Sequence, residues 1–498
     1  MTANPLSKPL WTTLNIWTAC VIFAAAFLYY AHQPINHDTA WFMYAARGML
    51  SGGTLYKDYI DVNAPLAYLM LVPAAALSEF SFISNEAALT LNILAYVLVA
   101  WLLAAAVMRN LGLTARGLLA TRAALLFVMC FLPQYAFGQR EHVFAILIIP
   151  YAMAAALRFS NKPLPVWLAV ACGIAAGFAV SIKLPYAIVP AFVEATVLLR
   201  RRSWYIVFTP DLMALIATTV AINLICYALY PVYWTDILPS AAALYGPYDN
   251  AWFLADALLL MVPLFGAGLF AGEYRGRRPL IGARLMLVAA TLGAFALFIL
   301  QRKGWPHHAL PIVLLANALF VFNMADLDMQ RVARKLNALM RAGVTLCAMA
   351  FAFYLAFTTG NVDPNMQAEV EARLKQTDGS FYIMSTGNYP AFPLALNRSY
   401  RWTSRFPQLI LLPGLIEADA RGVKSPYEAP FRTAIREDLE RGKPATVFVY
   451  MPVDAGGIPG PDMINWFTHD PAFAREWQNY QYMGDAPPFA VFGRVTKG

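Results

Sequence analysis

The sequence predicts a polytopic α-helical membrane protein of about eleven transmembrane helices with a C-terminal soluble α/β domain. Of its 498 residues, 59% are hydrophobic and only 13% are charged, about half the charged fraction of an average soluble protein. Mean hydropathy is +0.52, and long apolar runs recur from residue 11 to residue 358. Such recurring runs are typical of a polytopic membrane protein.

The first apolar run, residues 11–31, is interpreted as a retained anchor, because Tyr29-Tyr30-Ala31-His32 offers no small-x-small signal-peptidase site. Eleven runs approach the roughly 17–25 residues that cross the hydrocarbon layer. The predicted spans are 11–31, 86–108, 117–134, 142–158, 165–181, 184–200, 205–230, 251–270, 281–300, 308–325 and 341–358.

The apolar segment 64–80 is predicted to lie along the membrane surface, because it is short and contains Pro65 and Pro73. With this assignment most cations of the membrane domain fall in loops on one side, which the positive-inside rule makes cytoplasmic. Those loops contain Arg109 and Arg116, Arg158 and Lys162, Arg200–Arg202, 273–284 and 326–341. The N-terminus is then predicted inside and residues 359–498 outside.

The formal net charge of +8 follows from these basic loops and requires no nucleic-acid partner. The five cysteines all fall within apolar runs and lack the spacing of a zinc or disulfide site, so they are interpreted as small core residues. They are Cys20, Cys130, Cys172, Cys226 and Cys347.

Residues 359–498 have a different composition, in which Pro, Gly, Asp and Arg are frequent. Short β-type runs separated by helical patterns indicate a small α/β domain. The β-type runs are 381–384, 446–450 and 489–492, and the helical patterns are 364–377, 404–420 and 428–441. The predicted division is a transmembrane domain, 1–358, whose outer loop 32–85 carries surface helices, and a soluble outer domain, 359–498.

Charged side chains are concentrated in the loop after the first span. They are His37, Asp38, Arg47, Lys57, Asp58 and Asp61. Residues 38–50 are typical of a short amphipathic helix on the membrane, with Asp38 near its N-cap and held by backbone donors. Asp38 is either only a cap or a general base that takes a proton from an acceptor hydroxyl.

Four cations are predicted on the outer face, where the positive-inside rule disfavours them. They are Arg140, Lys183, Arg302 and Lys303. An anionic ligand would account for them, although Arg140 could equally be an interfacial anchor.

Glu141 and His142 are candidate metal ligands or sugar contacts beside Asp38, with interfacial anchoring as the alternative for His142. His307 and His308 are either functional or belt residues next to Trp305. Tyr245 could stack on a sugar or belong to the membrane belt. The spacing specifies no metal geometry and no certain cofactor, but a divalent metal is a candidate.

The chain resembles the GT-C glycosyltransferases, the superfamily of protein O-mannosyltransferases and lipid A aminoarabinose transferases. The resemblance covers the whole architecture, including the outer domain, and is sharpest at residues 37–68. Those enzymes have an acidic residue soon after span one, then a Gly-x-x-Tyr-x-Asp-like turn, then a Pro-led helix along the membrane. The counterparts here are Asp38, residues 53–58 (Gly-Thr-Leu-Tyr-Lys-Asp) and residues 63–66 (Asn-Ala-Pro-Leu). Many relatives have a charged residue and a second proline at Asn63-Ala64, which leaves the substrate subgroup open.

The resemblance implies a GT-C architecture and an inverting transferase in a bacterial inner membrane. It would move a sugar from a polyprenyl-phosphate donor to an envelope lipid, glycan or protein acceptor at the outer face. Asp38 would be the base, and Lys303, with Arg302, Lys183 or Arg140, would hold the phosphate. The predicted pocket residues are His37, Tyr56, Asp58, Asp61, Glu141, His142, Tyr245, His307 and His308.

Three other functions stay open. A lipid-linked sugar transporter or flippase would need ionisable residues near the middle of its spans and repeated halves, whereas the charges here lie at one face and no repeat is visible. A noncatalytic scaffold leaves the acidic loop unexplained. An oligosaccharide ligase or polymerase would use similar residues with a larger donor.

Overall fold

The computed structural model describes residues 8–249, 280–325, 363–452 and 460–495. It divides into two compact units. The first comprises the described residues of Met1–Gln33, Glu86–Ile225 and Asn250–Asn361, and the second those of Pro34–Asn85, Cys226–Asp249 and Val362–Gly498. The loop at 34–85, predicted as part of the transmembrane domain, therefore folds in one unit with the C-terminal residues.

The helices are α1 (Lys8–Tyr30), α2 (His37–Leu50), α3 (Pro65–Leu69), α4 (Val72–Phe80), α5 (Asn85–Met108), α6 (Ala115–Phe131), α7 (Arg140–Phe159), α8 (Val166–Ile182), α9 (Ile188–Arg201), α10 (Pro210–Leu229), α11 (Leu238–Leu244), α12 (Ile281–Gln301), α13 (Pro306–Ala325), α14 (Pro364–Leu374), α15 (Ala391–Leu394), α16 (Leu412–Ala420), α17 (Glu428–Gly442), α18 (Gly460–Thr468) and α19 (Pro471–Trp477). The strands are β1 (Ser380–Met384), β2 (Arg401–Trp402), β3 (Thr446–Tyr450), β4 (Tyr480–Ala486) and β5 (Phe489–Arg494).

Nine of the eleven predicted spans coincide with helices, namely α1, α5 to α10, α12 and α13. The other two, 251–270 and 341–358, lie outside the described residues. Within the described part, α1, α5, α7, α10 and α12 contain segments long and apolar enough to cross a membrane. The total of eleven spans stays a prediction.

Helix α7 forms the centre of the first unit. It packs against α8, α9, α12 and α13, and it is buried from Arg140 through Leu157. The sequence explains this, because the helix is apolar or small on every face between its charged ends. Helices α1 and α10, in contrast, leave most of their side chains exposed.

Glycines on α8 allow a close approach to α10. A Cβ atom at Gly173 would lie 2.1 Å from the carbonyl oxygen of Asp211, and one at Gly177 would lie 2.6 Å from that of Leu215. Small residues spaced by four positions permit such backbone contact between membrane helices. The pair therefore fixes where α10 begins, and with it the position of Asp211.

In the second unit, segment 64–80 forms two short helices, α3 and α4. Pro65 occupies the first turn of α3 and Pro73 that of α4, where a missing backbone N–H costs least. With nine residues α4 is only about 14 Å long. Neither helix could cross a bilayer by itself, which agrees with the surface assignment.

The C-terminal part contains the predicted α/β arrangement as a five-stranded sheet in the order β2-β1-β3-β5-β4. Strand β1 pairs in parallel with β2 and β3, whereas β5 pairs antiparallel with β3 and β4. The three predicted strands are present as β1, β3 and β5, and the short β2 and the edge strand β4 were not predicted.

The helix predicted at 404–420 was too long, because only Leu412–Ala420 is helical. Arg405 instead donates from its backbone and side chain to Asp438 of α17, at 2.8 and 2.6 Å. The Ser404 hydroxyl accepts from the Phe406 N–H. Local bonds of this kind compete with helix formation.

Candidate functional site

Asp38 lies in the first turn of α2, but it is not the N-cap. Asn36 is the cap, and its Oδ1 accepts the backbone N–H of Asp38 at 3.0 Å. Asp38 therefore lies near the N-cap, as predicted, and backbone donors to its carboxylate stay a prediction.

The Asp38 carboxylate is partly exposed and accepts a hydrogen bond from a side chain in the loop after β1. Asn388 Nδ2 donates to Asp38 Oδ1 at 3.0 Å. His37 Nε2 lies 3.9 Å from the same oxygen, and the His37 ring is 6.4 Å from that of Tyr389. The carboxylate therefore lies among polar groups while 21% of its side chain stays exposed, as a base that meets a substrate requires.

Asp61 is buried and accepts several hydrogen bonds. Its Oδ2 accepts from Trp41 Nε1 at 3.1 Å, Asn63 Nδ2 at 2.6 Å and Tyr68 OH at 3.0 Å. Burial, and after it the charge of Asp61, raise the pKa of Tyr68 well above its ordinary value, so this phenol stays a donor. These contacts make Asp61 a structural centre that ties α2 and α3 together.

The predicted turn at 53–58 is present. Asp58 Oδ2 accepts the backbone N–H of Thr54 at 2.8 Å, and Tyr56 has a positive φ of 66°. The Tyr56 hydroxyl donates to the carbonyl of Asn63 at 2.6 Å, and its ring packs 5.5 Å from that of Tyr233. Tyr56 and Asp58 therefore shape the loop, and their contact with a sugar stays a prediction.

Arg47 anchors the other end of α2. It donates to the Leu396 carbonyl at 3.1 Å and to Ser78 Oγ at 3.2 Å, also donates to Asn85, and lies 3.4 Å from the Glu79 carboxylate. Burial lowers the pKa of Arg47 from its ordinary value, against the opposing charge of Glu79. Helix α2 is thus held at both of its ends.

Glu141 is the centre of a second cluster, in the first unit. It is 1% exposed, and its Oε1 accepts from Tyr186 OH at 2.9 Å. Its Oε2 is buried and has no hydrogen-bond partner among the described residues. Glu141, His307 and His308 each offer one possible metal-ligand atom, and these three atoms lie within 4.8 Å of one another.

Three predicted phosphate-binding cations surround this cluster. Arg140 lies 3.9 Å from Glu141, and Lys183 interacts electrostatically with both Glu141 and His308. Lys303 is 9% exposed and interacts with His308. Arg140 and Lys183 thus act on the Glu141 carboxylate, and cations from three chain segments that are distant in sequence act on His308.

Two predicted residues are placed differently. Gly138 N–H donates to His142 Nδ1 at 3.2 Å, so Nε2 carries the proton and donates to the Met129 carbonyl at 2.9 Å. With both ring nitrogens engaged in the fold, His142 is not available as a ligand beside Glu141, and that prediction is corrected. Arg302 is exposed and caps α12 in the left-handed conformation, with φ of 55°.

Tyr245 belongs to the second unit, where its ring lies 5.3 Å from that of Tyr248. The contact fits the predicted aromatic turn at 245–248, which forms a short 3₁₀ helix over Gly246–Tyr248. Stacking of Tyr245 on a sugar stays a prediction.

Glu141, His307 and His308 could hold a divalent metal. Carboxylate and imidazole are ordinary ligands of Zn²⁺ and of other first-row metals. Glu141 Oε2 and His308 Nδ1 are both buried and have no hydrogen-bond partner within the described ranges, so their donor atoms fit a metal ion. The adjacent pair His307-His308 at the start of α13 is the sequence signal.

The opposite end of α7 carries a different network. Arg158 donates to Glu194 Oε2 and Oε1 at 2.9 and 2.5 Å and to Asp211 Oδ2 at 2.7 Å. The Tyr151 hydroxyl also donates to Glu194, at 2.5 Å. The second oxygen of Asp211 is buried without a hydrogen-bond partner in the described structure. Here one cation is held directly by two carboxylates.

Sequence reasoning missed three residues of these clusters. Tyr186 follows Lys183 in the run Lys-Leu-Pro-Tyr, and Gln301, whose Oε1 accepts from Lys183 Nζ, directly precedes Arg302. Asn388 ends the small polar run 385–388 (Ser-Thr-Gly-Asn) directly after β1. That run was the available signal, because ligands bind beyond the carboxyl ends of parallel strands.

The fold of this chain is similar to that of ArnT from Cupriavidus metallidurans. The crystal structure of that protein bound to undecaprenyl phosphate matches with a TM-score of 0.59 at 15% identity, over 99% of this chain and 99% of that chain. Its apo structure matches with a TM-score of 0.58 at 15% identity, over 97% and 98%. No protein-family model and no curated protein matches the chain. The chain therefore has the fold of ArnT, with helices long and apolar enough to cross a membrane, and its membership of the GT-C superfamily stays a prediction.

Proposed function

We propose that this protein is a glycosyltransferase that moves a sugar from a polyprenyl-phosphate donor to an acceptor at the outer face of a bacterial inner membrane. The observation that carries the proposal is the group of three cations, Arg140, Lys183 and Lys303, whose charges all act on His308. Fixed cations of this kind can bind a phosphate and stabilise its charge, and the phosphate of a lipid-linked sugar is such a group. The ArnT structure that shares this fold is bound to undecaprenyl phosphate.

The reaction is a single displacement. The acceptor hydroxyl oxygen attacks the anomeric carbon, and the bond from that carbon to the phosphate oxygen breaks. The phosphate leaves with the bonding electrons, and Asp38 takes the hydroxyl proton. Attack from the face opposite the phosphate inverts the anomeric configuration.

The cations stabilise the leaving group. Negative charge grows on the phosphate as the glycosidic bond breaks, and fixed positive groups stabilise that charge without reorganising. Lys303 and Lys183 supply it as point charges, and Arg140 can form paired hydrogen bonds with phosphate oxygens. A divalent metal held by Glu141, His307 and His308 would add positive charge near the phosphate.

The acceptor is an envelope lipid, glycan or protein. Because envelope extract contains all three classes, the activity can be tested before the acceptor is identified. Purified full-length protein is given polyprenyl-phosphate sugars together with envelope extract, and free polyprenyl phosphate is measured. The unvaried protein is expected to release it. Asp38→Asn is expected to lower the rate by about 10²- to 10⁴-fold, while binding of polyprenyl phosphate remains.

Two results would contradict this proposal. Full activity of Asp38→Asn would remove Asp38 as the base. Movement of the intact lipid-linked sugar across vesicle membranes, without cleavage, would favour a flippase instead. Mass spectrometry of envelope glycans from a deletion strain then identifies the sugar and the acceptor.

A further inference from the structure

We propose that Asn388, in the loop after β1, is a positioning residue that orients the Asp38 carboxylate for proton transfer. The inference rests on the proposed function, because it gives Asp38 the role of base. Asn388 Nδ2 donates to Asp38 Oδ1 at 3.0 Å, across 350 positions of the sequence. Asn388 itself is only 4% exposed.

The loop that carries Asn388 is fixed at both of its ends. Before it, the Ser385 carbonyl accepts from Leu409 N–H at 2.8 Å, and Ser385 Oγ accepts from Gly387 N–H at 3.0 Å. After it, the Asn388 carbonyl accepts from Phe392 N–H at 3.0 Å. The amide side chain is therefore held before any substrate binds.

Aromatic packing joins this loop to the helix of the base. Helix α15 packs on α2, and the ring of Phe392 lies 5.2 Å from that of Trp41 and 5.5 Å from that of Tyr44. Rings at these distances make favourable edge contacts. Asp38 and Asn388 thus lie on two elements whose separation is set by a packed core.

The chemistry of an amide suits this task. A carboxylate that turns freely about its χ2 bond presents its lone pairs in many directions, and a hydrogen bond to one oxygen restricts that rotation. Because the amide is neutral, it orients Asp38 without the strong loss of basicity that a directly paired cation would cause. His37 Nε2 also lies 3.9 Å from this oxygen.

The test compares Asn388→Leu, which keeps the volume and removes the donor, with Asn397→Leu. Asn397 is exposed, and its side-chain Oδ1 accepts from the Ser399 N–H at 3.0 Å, so its replacement is the matched control. The full chain is assayed in detergent with a polyprenyl-phosphate sugar, and kcat and the donor KM are measured. Asn388→Leu is expected to lower kcat about 10- to 100-fold with the donor KM within about twofold, and the control is expected to change neither.

A mutant cycle shows whether the effect passes through Asp38. In the Asp38→Asn background, Asn388→Leu is expected to cause no further loss, because residues that act as one unit are not additive. If the double variant has a kcat reduced by the product of the two single effects, the inference is overturned. An unchanged kcat in Asn388→Leu alone would overturn it as well. If Asn388→Leu does not give a monodisperse protein, Asn388→Ala is measured with the same expectations.

Release of polyprenyl phosphate by the parent chain shows whether the positioning role alone fails or the proposed function fails with it. If the unvaried chain releases polyprenyl phosphate and Asn388→Leu matches it, only the positioning role falls. If the unvaried chain releases none under any donor, the proposed function falls and the positioning role falls with it.

Discussion

The two ends of helix α7 carry buried charged clusters of opposite kinds. At the Arg158 end, one guanidinium donates three hydrogen bonds to two carboxylates. At the Arg140 end, Arg140 and Lys183 act on the carboxylate of Glu141, and together with Lys303 they act on the ring of His308. Among the described residues, the first cluster thus has two carboxylates to one cation, and the second brings three cations to a group with one carboxylate.

Buried charge alone therefore does not indicate a ligand site. Arg140 and Arg158 are separated by about 27 Å along one helix, and both are largely buried. What distinguishes them is the sign of the charge that gathers at each end. Two carboxylates share one guanidinium at the Arg158 end, whereas three cations act on His308 at the Arg140 end, which suits that end to bind an anion.

The largest effect on stability is expected from Arg158→Met. This change leaves Glu194 and Asp211 buried without their cation, which typically costs about 3–5 kcal/mol. Unfolding followed in detergent is the measurement, and the exposed Arg201→Met is the control. The Arg158→Met molecules that remain folded should transfer sugar at the normal rate. If Arg158→Met is as stable as the parent protein but inactive, the Arg158 end serves transfer and not stability, which contradicts the proposal.

Lys303→Met should act on transfer instead. Removing one fixed charge that stabilises the leaving phosphate is expected to lower kcat about 10²- to 10³-fold. Unfolding is followed on the same protein, so that a loss of fold is distinguished from a loss of transfer. Release of polyprenyl phosphate is measured, with Lys162→Met, from a predicted cytoplasmic loop, as control. Unaltered kcat would exclude Lys303 from the phosphate site.

Glu141→Gln and Glu194→Gln form a matched pair for the metal hypothesis. Each carboxylate accepts from a tyrosine hydroxyl, Tyr186 or Tyr151, and each amide can still accept that bond. Glu141→Gln is expected to weaken Zn²⁺ or Mn²⁺ binding by about 10- to 100-fold, whereas Glu194→Gln should only lower stability. Metal content after dialysis is measured by mass spectrometry. Equal metal content in both variants would contradict a site at Glu141.

Much of the fold could be predicted, because long apolar runs leave few alternatives. Each predicted span within the described residues is a helix, and Arg140, Lys183 and Lys303 lie together as their shared outer-face assignment requires. The outer-face assignment of these three cations follows from the distribution of charge among the loops, and it requires no knowledge of which side chains contact each other. The helix at 404–420 failed because Asp438, a residue far along the chain, holds Arg405 in an extended segment.

The contacts of individual side chains could not be predicted in the same way. His142 and Glu141 are adjacent in sequence, yet His142 bonds the Met129 carbonyl and Glu141 bonds Tyr186. A helix turns by about 100° per residue, so neighbours point in different directions. Asn36 as the cap of α2 is a local feature that the sequence did contain, because Asn ranks with Asp among N-cap residues.

The position of Asn388 has a consequence for biosynthesis. The ribosome makes Asp38 350 residues before Asn388, and β1 is enclosed in the sheet only after β3, which ends at Tyr450, has been translated. Until then, α2 carries the carboxylate without its amide donor. Chains that terminate before Asn388 should therefore transfer little sugar from the lipid donor, so that transfer is largely confined to full-length molecules.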